Sequence, residues 1–218
     1  MAKKTEKDVI SIIPAEVKYA TVCIQGDGDL VLNKISASAS RALTTDDRKA
    51  QALWEWQHKN VWEDIITAIH WRDGIPCEDT NSECSEEMFR AMLRDNAPCI
   101  TAFGLKKSWN QAVVRNEIDK YSTKFDNAVN IVATRGLVPI KFATHSIDTR
   151  IMSPKRGAPV TTRLNHFSGW SAEIPISYTE HVFSINEIVT IINYAGFGVG
   201  IGSGRTSGYG RYQVVDVK

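Results

Sequence analysis

The residues best suited to chemistry in this sequence are a run of glycines with two arginines. Seven of the fourteen glycines fall in residues 196–210, which read GFGVGIGSGRTSGYG, and Arg205 and Arg211 lie within and directly after the run. Because glycine adopts positive φ without strain, the run predicts a backbone that turns tightly or lies close to another surface. Backbone N–H groups and guanidinium groups placed there could bind an anion.

The elements on either side of the run distinguish between kinds of site. Apolar spacing predicts a helix over 184–194, and alternation predicts a strand over 211–217. A dinucleotide-binding fingerprint needs strand, glycines and helix in that order, and a P-loop needs a lysine that 196–210 lacks. The alternative to a ligand site is a glycine-rich turn that lets the helix pack onto a sheet.

The end of the chain resembles the C-terminal signature of the RAMP superfamily, the ferredoxin-like RNA-binding proteins of CRISPR systems. Gly200, Gly202 and Gly204, followed by Gly208-Tyr209-Gly210, match its pattern, and VCIQGDGDLVLNKIS at 22–36 resembles its first strand and turn. Effector-complex backbone subunits and their stand-alone phage relatives are the nearest groups. The resemblance does not extend to 44–128.

The resemblance implies an α+β fold with a ferredoxin-like (RRM-like) β-α-β-β-α-β core, a helical insertion and a C-terminal glycine-rich loop. It further implies a non-catalytic protein that binds single-stranded RNA or DNA and oligomerises along it, alone or with CRISPR effector subunits. We expect a flexible arm over 1–14 and one domain over 15–218, with the insertion at about 44–128.

Residue patterns predict the same class of fold independently. A strand is expected early in the chain, helices in the middle, and then strands, a helix and a last strand, which is typical of an α+β arrangement. Residues 36–40 (SASAS) are expected to form a loop, and 167–178 a single strand.

Charge adds a second candidate for nucleic-acid contact. The whole chain has a net charge of +1, yet residues 135–218 carry 9 Lys/Arg against 5 Asp/Glu. Residues 153–163 (SPKRGAPVTTR) form the candidate for a basic, base-splaying hairpin of the kind that RAMP proteins carry. The predicted nucleic-acid-binding residues are Gly200, Gly202, Gly204, Arg205, Gly208, Gly210, Arg211, Arg150, Lys155, Arg156, Arg163 and His166.

Two other functions stay open at this point. The first is a RAMP-type endoribonuclease that uses a histidine, or Asp27 or Asp29 in the turn after the first strand. The second is a mimic or inhibitor of a CRISPR subunit, which would stack through its acidic 73–87 and basic 135–165 segments. We predict no catalytic residue, no metal ligand and no cofactor, because no histidine has a visible partner pattern and the cysteines fit no zinc spacing.

The remaining composition is that of an ordinary globular protein. The sequence is 43% hydrophobic and 23% charged, and no stretch approaches the roughly 20 apolar residues that span a bilayer. Its first residues, MAKKTEKD, lack the apolar core of a signal peptide. We therefore expect a cytoplasmic protein.

Overall fold

The computed structural model describes residues 16–76, 83–152 and 160–218. The predicted arm over 1–14 lies outside these residues. Within them, helices and antiparallel sheets are mixed along the chain, which confirms the predicted α+β class. No helix in the described ranges is both long and apolar enough to cross a membrane.

The strands form two antiparallel sheets. The strands are β1 Val17–Gly26, β2 Leu30–Leu32, β3 His70–Trp71, β4 Pro98–Thr101, β5 Val129–Ile131, β6 Leu137–Lys141, β7 Thr144–Met152, β8 Val160–Ser168, β9 Ser171–Thr179 and β10 Tyr212–Val217. The larger sheet has the order β10-β1-β9-β6-β4-β3, with β5 also paired to β9. The smaller sheet has the order β2-β8-β7, in which β7 and β8 pair antiparallel. Residues 153–159 of the predicted basic hairpin at 153–163 lie outside the described residues.

Seven helices connect these strands in the described residues. They are α1 Ala37–Thr44, α2 Arg48–Gln57, α3 Val61–Thr67, α4 Glu86–Asp95, α5 Ala102–Arg115, α6 Thr123–Ala128 and α7 Ile185–Gly198. A capping box starts α7, in which Ser184 and Glu187 satisfy each other's backbone N–H groups. A short 3₁₀ turn, Arg205–Ser207, lies within the predicted glycine run.

One hydrophobic core lies between the large sheet and the helices. Strand β9 alternates between buried and more accessible residues, as expected for a sheet covered on one face. Its largest fully buried side chains include Trp170, Trp109 of α5 and Tyr212 of β10. Trp109 Nε1 donates to Tyr212 Oη at 3.1 Å. The core therefore fixes α5 and the end of the chain against the same sheet.

Two local predictions were wrong. The expected strand 167–178 is broken after Ser168, because Gly169 adopts φ +61° and its Cα packs beside Ala143, where a side chain would not fit. Residues 36–40 do not form a loop but enter α1. Helix α1 is held by tertiary contacts, since Arg41 donates to both Glu55 of α2 and Glu63 of α3.

Candidate nucleic-acid interface

The glycine loop, residues 199–211, follows α7 and leads into β10. Five of its glycines have φ between +67° and +89°. At Gly210 an added Cβ would lie 1.9 Å from the carbonyl oxygen of Ile201, and at Gly202 it would lie 2.5 Å from that of Val31. These glycines therefore allow the loop to pack against itself and against β2.

Several N–H groups of the glycine loop already have partners within the protein. Ser203 N donates to Val31 O at 2.8 Å, Gly210 N donates to Asp29 O at 2.8 Å, and Ile201 N donates to Gly210 O at 2.9 Å. These bonds fix the loop to β2 and to the turn after β1. A phosphate at this surface would consequently depend on side chains more than on a cradle of free N–H groups.

Two predicted arginines are engaged in internal contacts. Arg211 donates through Nη1 to the carbonyl oxygen of Phe197, near the end of α7. Arg150 donates to Asp148 and, through Nη2 at 2.9 Å, to Tyr209 Oη of the glycine loop. The tyrosine hydroxyl and the carboxylate both raise the pKa of Arg150.

Tyr209 joins the glycine loop to the smaller sheet. Its ring meets the His166 ring edge-to-face with centroids 5.1 Å apart, and the Arg150 guanidinium lies over it at 5.7 Å. His166 is buried, with Nδ1 3.4 Å from Asp29 and Nε2 3.9 Å from Asp148. The structure thus brings Arg150 and His166 to the loop, but two carboxylates accompany them.

The predicted basic block does not form one surface. In the β7–β8 register Arg150 pairs with Thr162, whereas Arg163 pairs with Thr149. Adjacent pairs project to opposite faces of an antiparallel ribbon, so Arg163 and Arg150 lie on different faces of the hairpin. Lys155 and Arg156 lie outside the described residues.

Asp27 and Asp29, the candidates for RNA cleavage, occupy the turn between β1 and β2. Asp27 is exposed, and its backbone N–H donates to Arg211 O at 2.9 Å. Asp29 accepts a 2.5 Å hydrogen bond from Ser168 Oγ. The contacts of Asp29 therefore join the turn to the smaller sheet.

A cavity of about 200 Å³ is lined in part by the glycine loop. Its walls come from the end of β2, the segment from α3 to β3, the start of α5, and the glycine loop. The basic side chains that line it are Lys34, His70, Lys107 and Arg205, and the hydroxyl-bearing ones are Thr101 and Ser203. We refer to this cavity as the basic pocket.

Backbone contacts hold the walls of the basic pocket together. Lys34 N donates to Ala68 O at 2.9 Å, and Ser203 Oγ donates to Asn33 O at 3.1 Å. His70 on β3 pairs with Cys99 on β4. Residues that are far apart in sequence are thereby brought to one opening.

The charge of the basic pocket is uncompensated. The described residues that line it include no Asp or Glu, and Lys34, Lys107 and Arg205 form no ion pair with any acid in the described ranges. Burial raises the pKa of the Cys99 thiol to about 11, which keeps it neutral at pH 7. Burial also lowers the pKa of Lys34, and burial together with the charge of Lys34 lowers the pKa of His70.

Of the predicted binding residues, Arg205 and Gly202 line the basic pocket. The other three basic residues were not predicted from the sequence, since none of them lies in a glycine run or a basic block: Lys34, His70 and Lys107. Lys34 does lie in the 22–36 segment that resembles the first strand and turn of RAMP proteins. No sequence signal pointed to His70 or Lys107.

Comparisons with known proteins give similarity at the level of structure alone. The sequence matches no family model and no curated protein. Over 93% of its length the chain is similar to a chain in the cryo-EM structure of the type III-B Cmr-beta bound to cognate target RNA, with 13% identity and a TM-score of 0.45. The chain spans 60% of the length of that Cmr-beta chain.

A second solved structure is similar over nearly its whole length. It is the crystal structure of Cmr6 from Pyrococcus furiosus, with 13% identity and a TM-score of 0.32. The similarity covers 92% of this chain and 99% of the Cmr6 chain.

Proposed function

We propose that this protein binds single-stranded RNA or DNA without cleaving it, and that the basic pocket and the glycine loop contact the phosphates. The observation that carries the proposal is the convergence of Lys34, Lys107 and Arg205 on one cavity that no Asp or Glu of the described residues lines. Such a cluster can bind the phosphate groups of a nucleic-acid backbone, because each cation can form a charge-assisted hydrogen bond to a phosphate oxygen.

The strand order supports a RAMP-like, ferredoxin-like core. If β1, β6, β9 and β10 are its four strands and α5 and α7 its two helices, the chain order is β-α-β-β-α-β. In the large sheet the first of these strands lies between the third and the fourth. In this proposal the insertion expected at about 44–128 ends before α5, and residues 15–218 form one domain.

Assembly is part of the same proposal. A RAMP-like protein that follows a single strand would place several copies side by side, alone or with CRISPR effector subunits, in a CRISPR or phage setting. Light scattering with and without a 40-nucleotide strand tests this, and an unchanged mass would contradict it.

The contacts of Asp29 and His166 support binding rather than cleavage. Asp29 is bonded to Ser168, and His166 is buried between Asp29, Tyr209 and the smaller sheet. A general acid or base must come within hydrogen-bond reach of its substrate. Both side chains instead fix the turn after β1 to the rest of the protein.

Fluorescence anisotropy with labelled 20-nucleotide single strands of RNA and DNA tests the proposed binding. Lys107→Ala/Arg205→Ala removes two cations of the basic pocket, and each lost charge-assisted contact should weaken binding by roughly tenfold. The matched control is Arg48→Ala/Lys49→Ala on α2, which removes the same two charge types at exposed positions outside the pocket.

The two double variants separate a site from general charge. We expect a loss of about 100-fold for the pocket variant and less than threefold for the control at 0.15 M salt. Equal affinities for the two variants, or no binding of any single strand by the wild-type protein, would overturn the proposed function.

A further inference from the structure

We propose that the basic pocket holds a phosphate monoester, supplied either by the terminal phosphate of a nucleic-acid strand or by a free mononucleotide. This inference deepens the proposed function and rests on it where the source is a strand end. The two sources share one chemistry, a terminal phosphate group with three free oxygens.

Charge is the first reason to favour a monoester. A phosphate monoester carries a charge of about −1.5 to −2 at pH 7, whereas a phosphate inside a strand carries one negative charge. Lys34, Lys107 and Arg205 converge on the cavity, and among the residues that the structure describes no carboxylate lines it to neutralise them. A dianion balances this set more completely than a monoanion does.

The size of the cavity is the second reason. Its volume of about 200 Å³ lies below the roughly 300–1,000 Å³ of pockets that enclose a drug-sized ligand. It is more than tenfold the roughly 10–15 Å³ that a cavity needs, on the same measure, to hold one water molecule. A phosphate group with part of its sugar therefore fits, while the base and any following nucleotides remain outside.

The walls provide the geometry for a terminal group. Lys34 approaches from the end of β2, Lys107 from the first turns of α5, and Arg205 from the glycine loop. Thr101 Oγ already accepts from Gly104 N at 3.0 Å, so the cap occupies one N–H at the start of α5. Binding then comes from the three cationic side chains, with Ser203 and His70 beside them.

The lowered pKa values of two basic groups in the free protein also favour the binding of an anion. Partial burial lowers the pKa of Lys34, because removal from water disfavours its charged form. His70 is affected in the same direction by burial and by Lys34. An anion at the centre would stabilise both charged forms.

The test compares strands that differ only in their ends. Labelled 10-nucleotide strands carry a 5′-phosphate, a 3′-phosphate or only hydroxyl ends, and their affinities are measured for the wild-type protein. Adenosine 5′-monophosphate and adenosine are then added as competitors and as thermal-shift ligands at equal ionic strength. We expect at least tenfold tighter binding of one phosphorylated end, and competition by the monophosphate but not by adenosine.

Variants assign the effect to the pocket. Lys34→Met/Lys107→Met keeps the aliphatic stems and should abolish the preference for the terminal phosphate and the thermal shift with the monophosphate. Arg48→Ala/Lys49→Ala should retain both. Far-UV circular dichroism and the melting temperature without ligand show that each variant is folded.

The possible outcomes distinguish this inference from the proposed function. Strands that bind equally well with and without terminal phosphate, with no effect of the monophosphate, overturn this inference and leave the proposed function standing. A monophosphate that binds through Lys34 and Lys107 while no strand binds supports the inference and overturns the proposed function. A terminal-phosphate preference that survives Lys34→Met/Lys107→Met assigns it to another site and overturns the inference.

Discussion

A substitution series at three glycines measures how tightly the glycine loop is packed. Gly28, Gly208 and Gly210 differ in two properties, the sign of φ and the space available to a Cβ. Gly28 has neither a positive φ nor an atom within 4 Å of an added Cβ. Gly208 has φ +89° with open space, and Gly210 has φ +67° with the Ile201 carbonyl oxygen 1.9 Å from the added atom.

These properties set the expected loss of stability on substitution by alanine. Gly28→Ala should change the free energy of unfolding by less than about 0.5 kcal/mol. Gly208→Ala costs about 1–2 kcal/mol for a left-handed residue, partly offset by the reduced entropy of the unfolded chain, estimated at about 0.4–1 kcal/mol. The net expectation for Gly208→Ala is about 1 kcal/mol.

Gly210→Ala combines the backbone cost with a collision. Non-bonded carbon and oxygen atoms approach to about 3.3–3.6 Å, so the loop must move by more than 1 Å to relieve a 1.9 Å contact. That shift strains the packing by about 1–3 kcal/mol. It also disrupts the 2.8 Å bond from Gly210 N to Asp29 O, worth about 1 kcal/mol. These costs sum to about 3–6 kcal/mol, before the same unfolded-chain offset of about 0.4–1 kcal/mol.

Urea unfolding followed by circular dichroism gives the three free energies under one set of conditions. The expected order of stability is Gly28→Ala, then Gly208→Ala, then Gly210→Ala, with the last variant folding poorly if the wild-type protein is marginally stable. A Gly210→Ala variant as stable as Gly208→Ala would refute the packing of the loop against Ile201.

Three further predictions concern buried polar groups. Arg41→Ala should lower the free energy of unfolding by about 3 kcal/mol in urea melts, because it leaves the buried Glu63 and Glu55 carboxylates without the cation that binds both. Arg41 lowers the pKa of Glu55. The stabilisation from this ion pair is therefore present above a pH of about 4.5 and is lost as the pH falls through the depressed pKa. The difference in the free energy of unfolding between wild type and Arg41→Ala should narrow in melts below that pH. Tyr212→Phe should cost about 1–3 kcal/mol in urea melts, since Trp109 Nε1 then lacks the acceptor at 3.1 Å.

Matched controls accompany these variants. Arg94→Ala removes an exposed pair with Asp95 and should cost less than about 1 kcal/mol, and Tyr121→Phe alters an exposed hydroxyl. An Arg41→Ala loss no larger than that of Arg94→Ala would contradict the buried network. A Tyr212→Phe variant as stable as Tyr121→Phe would contradict the bond from Trp109.

The sequence was informative where a local pattern determines the structure. Apolar spacing predicted the helix over 184–194, which is α7, and Ser184 and Glu187 form a capping box at its start. The alternation of 211–217 predicted β10. The glycine run predicted close backbone approach, which Gly210 and Ile201 display.

The sequence was less informative where tertiary contacts decide. Residues 36–40 look like a polar loop, but α1 is held through the bonds of Arg41 to two distant glutamates. The basic block around 135–165 looked continuous, yet strand alternation places Arg150 and Arg163 on opposite faces. Neither result follows from a window of neighbouring residues.

The basic pocket shows the same limit at the candidate site. Lys34, His70, Lys107 and Arg205 lie on four separate segments and meet only because β2, β3, α5 and the glycine loop pack together. Arg205 alone could be predicted, from its place among the glycines. The absence of carboxylates along the pocket lining is visible only once the described residues are placed in space.

The salt dependence of single-strand binding tests the central claim most directly. Each phosphate contact on a single strand contributes about −0.7 to the slope of log K against log salt concentration. One phosphate group held by the three cations of the basic pocket predicts that the slope for Lys34→Met/Lys107→Met/Arg205→Ala is shallower than the wild-type slope by at least about 0.7. The slope of the Arg48→Ala/Lys49→Ala control should stay near the wild-type value. A triple variant whose slope equals that of the wild type would contradict phosphate binding in the basic pocket.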